Sequence, residues 1–373
     1  MVVSGQPATV AEADRAASLM LPAAGILPSQ QLRALVAAAM IHSESSIGEA
    51  QIQPASLDLR LGSVAYRVRA SFLPGPDATV MQRVDAFGKH RINLDDGAVL
   101  EKGCVYIVPL LEQLQLPPTI AGLANPKSST GRLDVFTRLI TDRAEAFDQV
   151  AMGYVGPLFI EISSRTFSVV VRRGTSLNQL RLQQGLPPER GIGGGADCRT
   201  AQGEGLALTV DLAGDGEGPV GYRARRHADL LDLSRIGYYD PAEFWEAVRP
   251  DRRGHLILNP GDFYILASKE AVAVPADQAA EMRPYDTHFG EFRVHYAGFF
   301  DPGFGLAETG GAGARAVLEV RSFEVPFALR HGQLIGRLIY EQLTERSDKL
   351  YGATIGSSYP RQGLALAKQF RRG

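Results

Sequence analysis

Cysteine is almost absent from this 373-residue chain. Cys104 and Cys198 are the only two, so neither a disulfide framework nor a cysteine-rich metal site can be built. A reducing compartment is expected, and the Ala-rich opening carries Glu12 and Asp14 in place of the basic start of a signal peptide, which predicts a cytoplasmic protein. No apolar run approaches the roughly 20 residues of a membrane span, so no membrane association is expected. Charge of one sign is lacking too: 39 Lys and Arg against 41 Asp and Glu leave a net charge of −2, without the basic excess of a nucleic-acid binder. The sequence contains no C-x-x-C, which leaves incomplete the zinc ligand set in which H-x-E is followed by P-C-x-x-C. None of the seven His stands at ligand spacing from another His or Cys. Hydrolytic chemistry would therefore use a water activated by a carboxylate, with no zinc and no metal held by the protein.

What is present is a repeat. Gly103, Tyr106, Pro117, Pro126, Glu161 and Gly174 recur 158 residues later as Gly261, Tyr264, Pro275, Pro284, Glu319 and Gly332. A constant offset predicts two domains of one fold. Turn formers recur for backbone reasons, whereas a charged Glu inside an apolar run is not required by a fold.

Residues 28–41 have a Ser/Gln start and apolar positions at helical spacing, which predicts one amphipathic helix. Most of the chain beyond it is strand-like. The runs at 105–110, 158–163, 167–174 and 177–182 are short, β-branched and aromatic, and those at 263–268, 317–322, 325–332 and 334–343 repeat their order. A mainly β protein with a few short helices is expected, divided into an N-terminal extension (1–27), a first domain (28–184), a Gly/Pro-rich linker (185–205), a second domain (206–345) and a tail (346–373). GIGGGA in the linker lacks the strand before it and the helix after it that a phosphate-cradling loop needs.

Three segments carry chemistry. In ANPKSSTGRLDVF, Ala124 to Phe136, the side chains of Lys127, Ser128, Ser129 and Arg132 gather two cations and two hydroxyls beside turn-forming Pro126 and Gly131. Such a loop suits an oligophosphate, although a polar turn at a strand end has the same composition. Glu161 and Glu319 lie in alternating strand sequence, Glu161 on one face with Phe159 and Ser163, Glu319 with Val317 and Arg321. An apolar wall there raises a carboxylate pKa and suits it to taking a proton from water and returning it; a structural ion pair with an Arg is the other reading. AGFFDPGFG, Ala297 to Gly305, predicts a hairpin in which a sugar packs on a ring and Asp301 accepts from a hydroxyl.

Together with QIQPASLDLRLG (51–62), GYVGPLFIEI (153–162) and LNQL (177–180), these segments resemble the dCTP deaminases of the trimeric dUTPase-like fold. The second half resembles another copy, so the resemblance implies two tandem dUTPase-like β-barrel (β-clip) domains. It assigns phosphate binding to Lys127, Ser128, Ser129 and Arg132, the general base to Glu161 or Glu319, and nucleoside contacts to Ala297, Asp301 and Phe304. Asp148 is the first-half counterpart of Asp301, in a stretch three residues longer. Tyr351, Tyr359 and Gln362 fall in the tail that closes over the nucleotide, with Ser358 where the family has Lys. The implied reaction is hydrolysis of dCTP to dUTP and ammonia in pyrimidine deoxynucleotide metabolism, with Mg²⁺ arriving on the triphosphate and a homo-oligomer as the assembly. The alternatives are a dUTPase or bifunctional enzyme giving dUMP, and a non-catalytic nucleotide-binding β module.

The halves are not equivalent. At the offset of 158, Lys127, Ser128, Ser129 and Arg132 become Tyr285, Asp286, Thr287 and Gly290, which cannot hold a triphosphate. A composite site is expected, with phosphates on the first half and base, sugar and water activation by Ala297 to Gly305 and Glu319 on the second. The competing arrangement pairs first halves with one another through Glu161.

Overall fold

The structure is a computed structural model that describes residues 24–185, 205–214, 218–284, 292–294, 298–306, 312–322, 324–352 and 364–372. Ala297, Tyr285, Asp286, Thr287, Gly290, Ser358, Tyr359, Gln362 and most of the linker lie outside them. Among the described residues no helix is long and apolar enough to cross a membrane.

The helix expected over 28–41 is shorter, Ser29–Ala37, and buries Ser29, Leu32 and Leu35 on one side. Ala39 then turns through a positive φ of 56°, and Ile41–Ser43 pairs as a strand with Val105–Gln115. A second helix, Val80–Phe87, is one of the few short helices expected, at a position the sequence reading did not single out. Its start is a capping box: the Thr79 hydroxyl accepts from the Gln82 amide at 3.2 Å, and the Gln82 side chain accepts from the Thr79 amide at 2.8 Å. Val80 and Val84, one turn apart, pack with Phe72, Ile107, Ile140 and Phe159.

The repeated sequence folds into corresponding strands. Val105–Gln115 pairs antiparallel with Val155–Ser164, as Phe263–Val272 does with Ala314–Ser322. Ile120–Pro126 pairs with Ser176–Gln184, as Gln278–Pro284 does with Leu334–Gln342. The turns recur as well: Gly103 and Gly261 have φ of 76° and 74°, and Gly174 and Gly332 have 84° and 73°, the left-handed region glycine enters without penalty.

The mainly β expectation stands, but two tandem dUTPase-like β-barrel (β-clip) domains are not what the chain forms. The described strands make discrete open sheets. One of them joins Ala98–Leu100 and Val169–Val171 to Leu231–Asp232 of the second half, which adds in parallel beside Val169. The largest hydrophobic cluster is shared in the same way, because Phe244, Trp245, Phe263, Ile265 and Phe370 pack with first-half residues such as Phe167 and Val169. Apolar burial across the halves, worth about 25 cal/mol per Å², thus binds them at an extensive internal contact, and that contact builds the site.

Candidate functional site

Strand Ile120–Pro126 delivers the chain to Lys127, whose amide donates to the Leu177 carbonyl at 2.9 Å. Ser128–Gly131 forms a single helical turn, closed by the Thr130 and Gly131 amides donating to the Lys127 carbonyl at 2.8 and 3.0 Å. The Lys127 ammonium is ion-paired with Asp58, which belongs to the Leu57–Arg60 strand. Burial pushes the Asp58 carboxyl up, and Lys127 works against that. Arg132 is nearly enclosed and donates to the Ala365 carbonyl at 3.1 Å.

The second half meets this loop with Glu319. It stands opposite Ile265 on Ala314–Ser322 and is 5% exposed. A methyl group placed at Gly131 would lie 2.8 Å from its Oε2 and 3.0 Å from its Cδ, so the carboxyl rests on the loop where glycine leaves room. Burial pushes this carboxyl up to about 8; Arg132 pulls it down and Asp134 pushes it further up. Two residues along the same face, Arg321 is ion-paired with Asp134, which is fully buried, and donates to Thr166 at 2.9 Å. Thr166 in turn donates to Asp134 at 2.6 Å. This network fixes the Glu319 strand against the first half.

Glu161 occupies a different environment. Its Oε1 accepts from the Arg138 guanidinium at 2.7 and 3.2 Å, while Oε2 is buried with no hydrogen-bond partner among the described residues. Arg138 lies 3.7 Å from the centroid of the Phe147 ring. Asp148, held at φ 62°, accepts from the Leu139 amide at 2.7 Å. Burial pushes Asp148 up to about 7, with the Leu139 amide and Arg138 opposing and Glu161 reinforcing. Glu161, Arg138 and Asp148 therefore form one cluster, and Glu319 with the 127–132 loop forms another.

Asp301 of the second-half hairpin is 9% exposed and faces Arg181 of the first half at 3.4 Å. Arg181 also donates to the Ala280 and Phe300 carbonyls at 2.9 and 2.8 Å and lies 4.0 Å over the Phe299 ring. Burial pushes Asp301 up and Arg181 opposes it, with Asp58 adding to the rise and Lys127 to the opposition. Phe304 packs inside the second-half core against Phe300. Tyr351 of the tail packs with its ring tilted 48° to that of Phe304, centroids 5.6 Å apart, and its amide donates to the Pro302 carbonyl at 2.8 Å. Among the described residues no three His, Cys, Asp or Glu are grouped to hold a metal ion.

The structure thus sets Glu319 against the Lys127–Arg132 loop and Asp301 against first-half Arg181, and leaves Glu161 and Asp148 in a separate cluster. Sequence reasoning did not find Arg138, Arg181, Asp58 and Asp134, which position these groups, and named Arg321 only as a neighbour of Glu319 on its strand face. Asp58 and Asp134 lie within the 51–62 and 124–136 motifs; Arg138 and Arg181 carry no local signal.

Residues 23–186 match the family model of the N-terminal domain of 2'-deoxycytidine 5'-triphosphate deaminase, and residues 189–370 match that of its C-terminal domain. A crystal structure of 2'-deoxycytidine 5'-triphosphate deaminase from Agrobacterium tumefaciens is 53% identical with a TM-score of 0.79, covering 86% of this chain and 99% of that one. The "dCTP deaminase, dUMP-forming" of Halobacterium salinarum is 35% identical over 119 residues, 31% of this chain and 56% of the relative. That of Mycobacterium ulcerans is 30% identical over 141 residues, 36% of this chain and 70% of the relative. Both of these relatives form dUMP, which overturns the expectation of a reaction ending at dUTP and favours the bifunctional alternative.

Proposed function

This chain is an enzyme of the 2'-deoxycytidine 5'-triphosphate deaminase family, and we propose that it carries dCTP through to dUMP by two hydrolytic steps at the contact between its halves. The observation that carries this reading is the buried Glu319 carboxyl resting against the Gly131–Arg132 turn. With its pKa pushed up to about 8, this carboxyl is a stronger base in its ionised form than an exposed one, and it holds a received proton firmly enough to pass it on near neutral pH.

In the first step Glu319 takes a proton from water, the hydroxide adds to C4 of cytosine, and Glu319 returns the proton to the amine, which leaves as ammonia. Lys127, Ser128, Ser129 and Arg132 hold the phosphates, and Asp301, fixed by Arg181, accepts from the deoxyribose hydroxyl. In the second step another water attacks the α-phosphorus, the bond from that phosphorus to the bridging oxygen breaks, and pyrophosphate leaves. We assign the Asp301 carboxylate to orient that water. Mg²⁺ comes with the triphosphate, bound mainly by phosphate oxygens and water, as suits its preference for keeping several waters.

A second reading is favoured by one observation, the unpartnered Oε2 of Glu161 beside Arg138 and Asp148. There Glu161 would be the base and a neighbouring copy of the chain would supply the phosphate loop in a homo-oligomer. The overall reaction is tested by product analysis from dCTP. Ammonia and pyrophosphate in equal amounts support it, accumulation of dUTP without pyrophosphate overturns the second step, and no ammonia overturns the first.

A further inference from the structure

A cleft of about 450 Å³ opens beside the phosphate loop, on the side of Lys127 and Ser129. Its walls include Ser129, Thr175 and Ser176, and four cations face it: Lys127, Arg172, Arg173 and Lys368. Arg172 is already committed, held bidentate by Asp232 at 2.7 and 2.9 Å, and Arg173 is paired with Glu44 at 3.4 Å. Among the described residues Asp58 is the one carboxylate on the walls, and it is ion-paired with Lys127 and acts on Lys368. The cleft is left with uncompensated positive charge and several hydroxyl donors, which is the chemistry that receives a polyanion.

Lys368 is placed there by a rigid segment. Its carbonyl accepts from the Gly237 amide at 2.9 Å, and the Gln369 carbonyl accepts from the Tyr238 and Tyr239 amides at 2.9 and 3.1 Å. Phe370 is buried among aromatic rings, 5.4 Å from Phe244 and 6.0 Å from Trp245. Burial and then the neighbouring Lys127 lower the Lys368 pKa, with Asp58 opposing, so an additional anion would relieve a crowded pair of ammonium groups.

We propose that this cleft seats the terminal phosphates of the nucleotide and that Lys368, contributed by the C-terminal segment, is a specificity-determining residue that selects a triphosphate over a monophosphate. The inference rests on the proposed dCTP-processing role for the choice of nucleotide, but its test does not need turnover. Binding of inorganic tripolyphosphate and of dCMP to the full-length protein is measured by calorimetry for wild type, Lys368→Met and Lys368→Arg, alongside ammonia release from dCTP. A charge-assisted contact predicts that Lys368→Met weakens tripolyphosphate binding about tenfold or more. Binding of dCMP stays within about twofold, and Lys368→Arg recovers most of the loss. Equal weakening of both ligands, or tripolyphosphate binding unchanged in Lys368→Met, overturns the inference. If wild type releases no ammonia while tripolyphosphate binding still depends on Lys368, the functional reading fails and the anion cleft stands.

Discussion

Gly131→Ala is the smallest perturbation that reaches the proposed chemistry without replacing a reacting group. The added methyl would stand 2.8 Å from Oε2 of Glu319 and 3.0 Å from both Cδ and Oε1, where ordinary contact begins at about 3.4 Å. Glu319 or the loop must therefore yield by about 0.6 Å. A misplacement of that order at a reacting centre costs up to about 10²-fold in rate. Stability pulls two ways, since Ala is favoured over Gly in a helix by about 1 kcal/mol and overpacking costs about 1–3 kcal/mol. The net change is small, and Tm moves by only a few degrees. Steady-state ammonia release should then show kcat reduced by about 10- to 100-fold, with KM for dCTP nearly unchanged and the thermal transition close to wild type. A Gly131→Ala enzyme that folds and turns over within twofold of wild type would refute the placement of Glu319 on this loop during catalysis.

The raised Glu319 pKa predicts a pH profile: a base must be ionised, so kcat/KM rises with pH along a limb centred near about 8, and a plateau already reached by pH 6 would contradict it. Arg321→Met removes the guanidinium from fully buried Asp134, and urea unfolding should show a loss of about 3–5 kcal/mol, partly recovered when Asp134→Leu is added; a loss below about 1 kcal/mol would remove this pair from the account of how the halves are held. EDTA should lower turnover of dCTP and Mg²⁺ should restore it, as measured by ammonia release; restoration that required Zn²⁺ would contradict the carboxylate-only mechanism.

The turns and strands were legible because their signals are local. Gly103, Gly174, Gly261 and Gly332 mark positive-φ turns at one offset, and the alternation around Glu161 and Glu319 marks strands. The capping box at Thr79 and Gln82 is equally local and marks the start of a short helix, Val80–Phe87, that the reading did not single out. How the sheets associate was not legible. Nothing near Val169 in sequence shows that Leu231–Asp232 will pair beside it, and two closed barrels were expected where open sheets share a core. The site divides in the same way: Lys127, Ser128, Ser129 and Arg132 cluster in sequence, while Arg321 and Arg181 reach Asp134 and Asp301 from 187 and 120 residues away. Long-range ion pairs leave no periodicity in either partner's neighbourhood.

The central claim is that the deaminating base is Glu319, working against the phosphate loop of the other half of the same chain. Single-turnover ammonia release from dCTP by Glu319→Gln and Glu161→Gln tests it most directly. The account predicts a loss of about 10²–10⁴ for Glu319→Gln with nucleotide binding retained, and a rate within a few-fold of wild type for Glu161→Gln. The opposite pattern, with Glu319→Gln active and Glu161→Gln dead, would contradict it and place the chemistry at Glu161, Arg138 and Asp148.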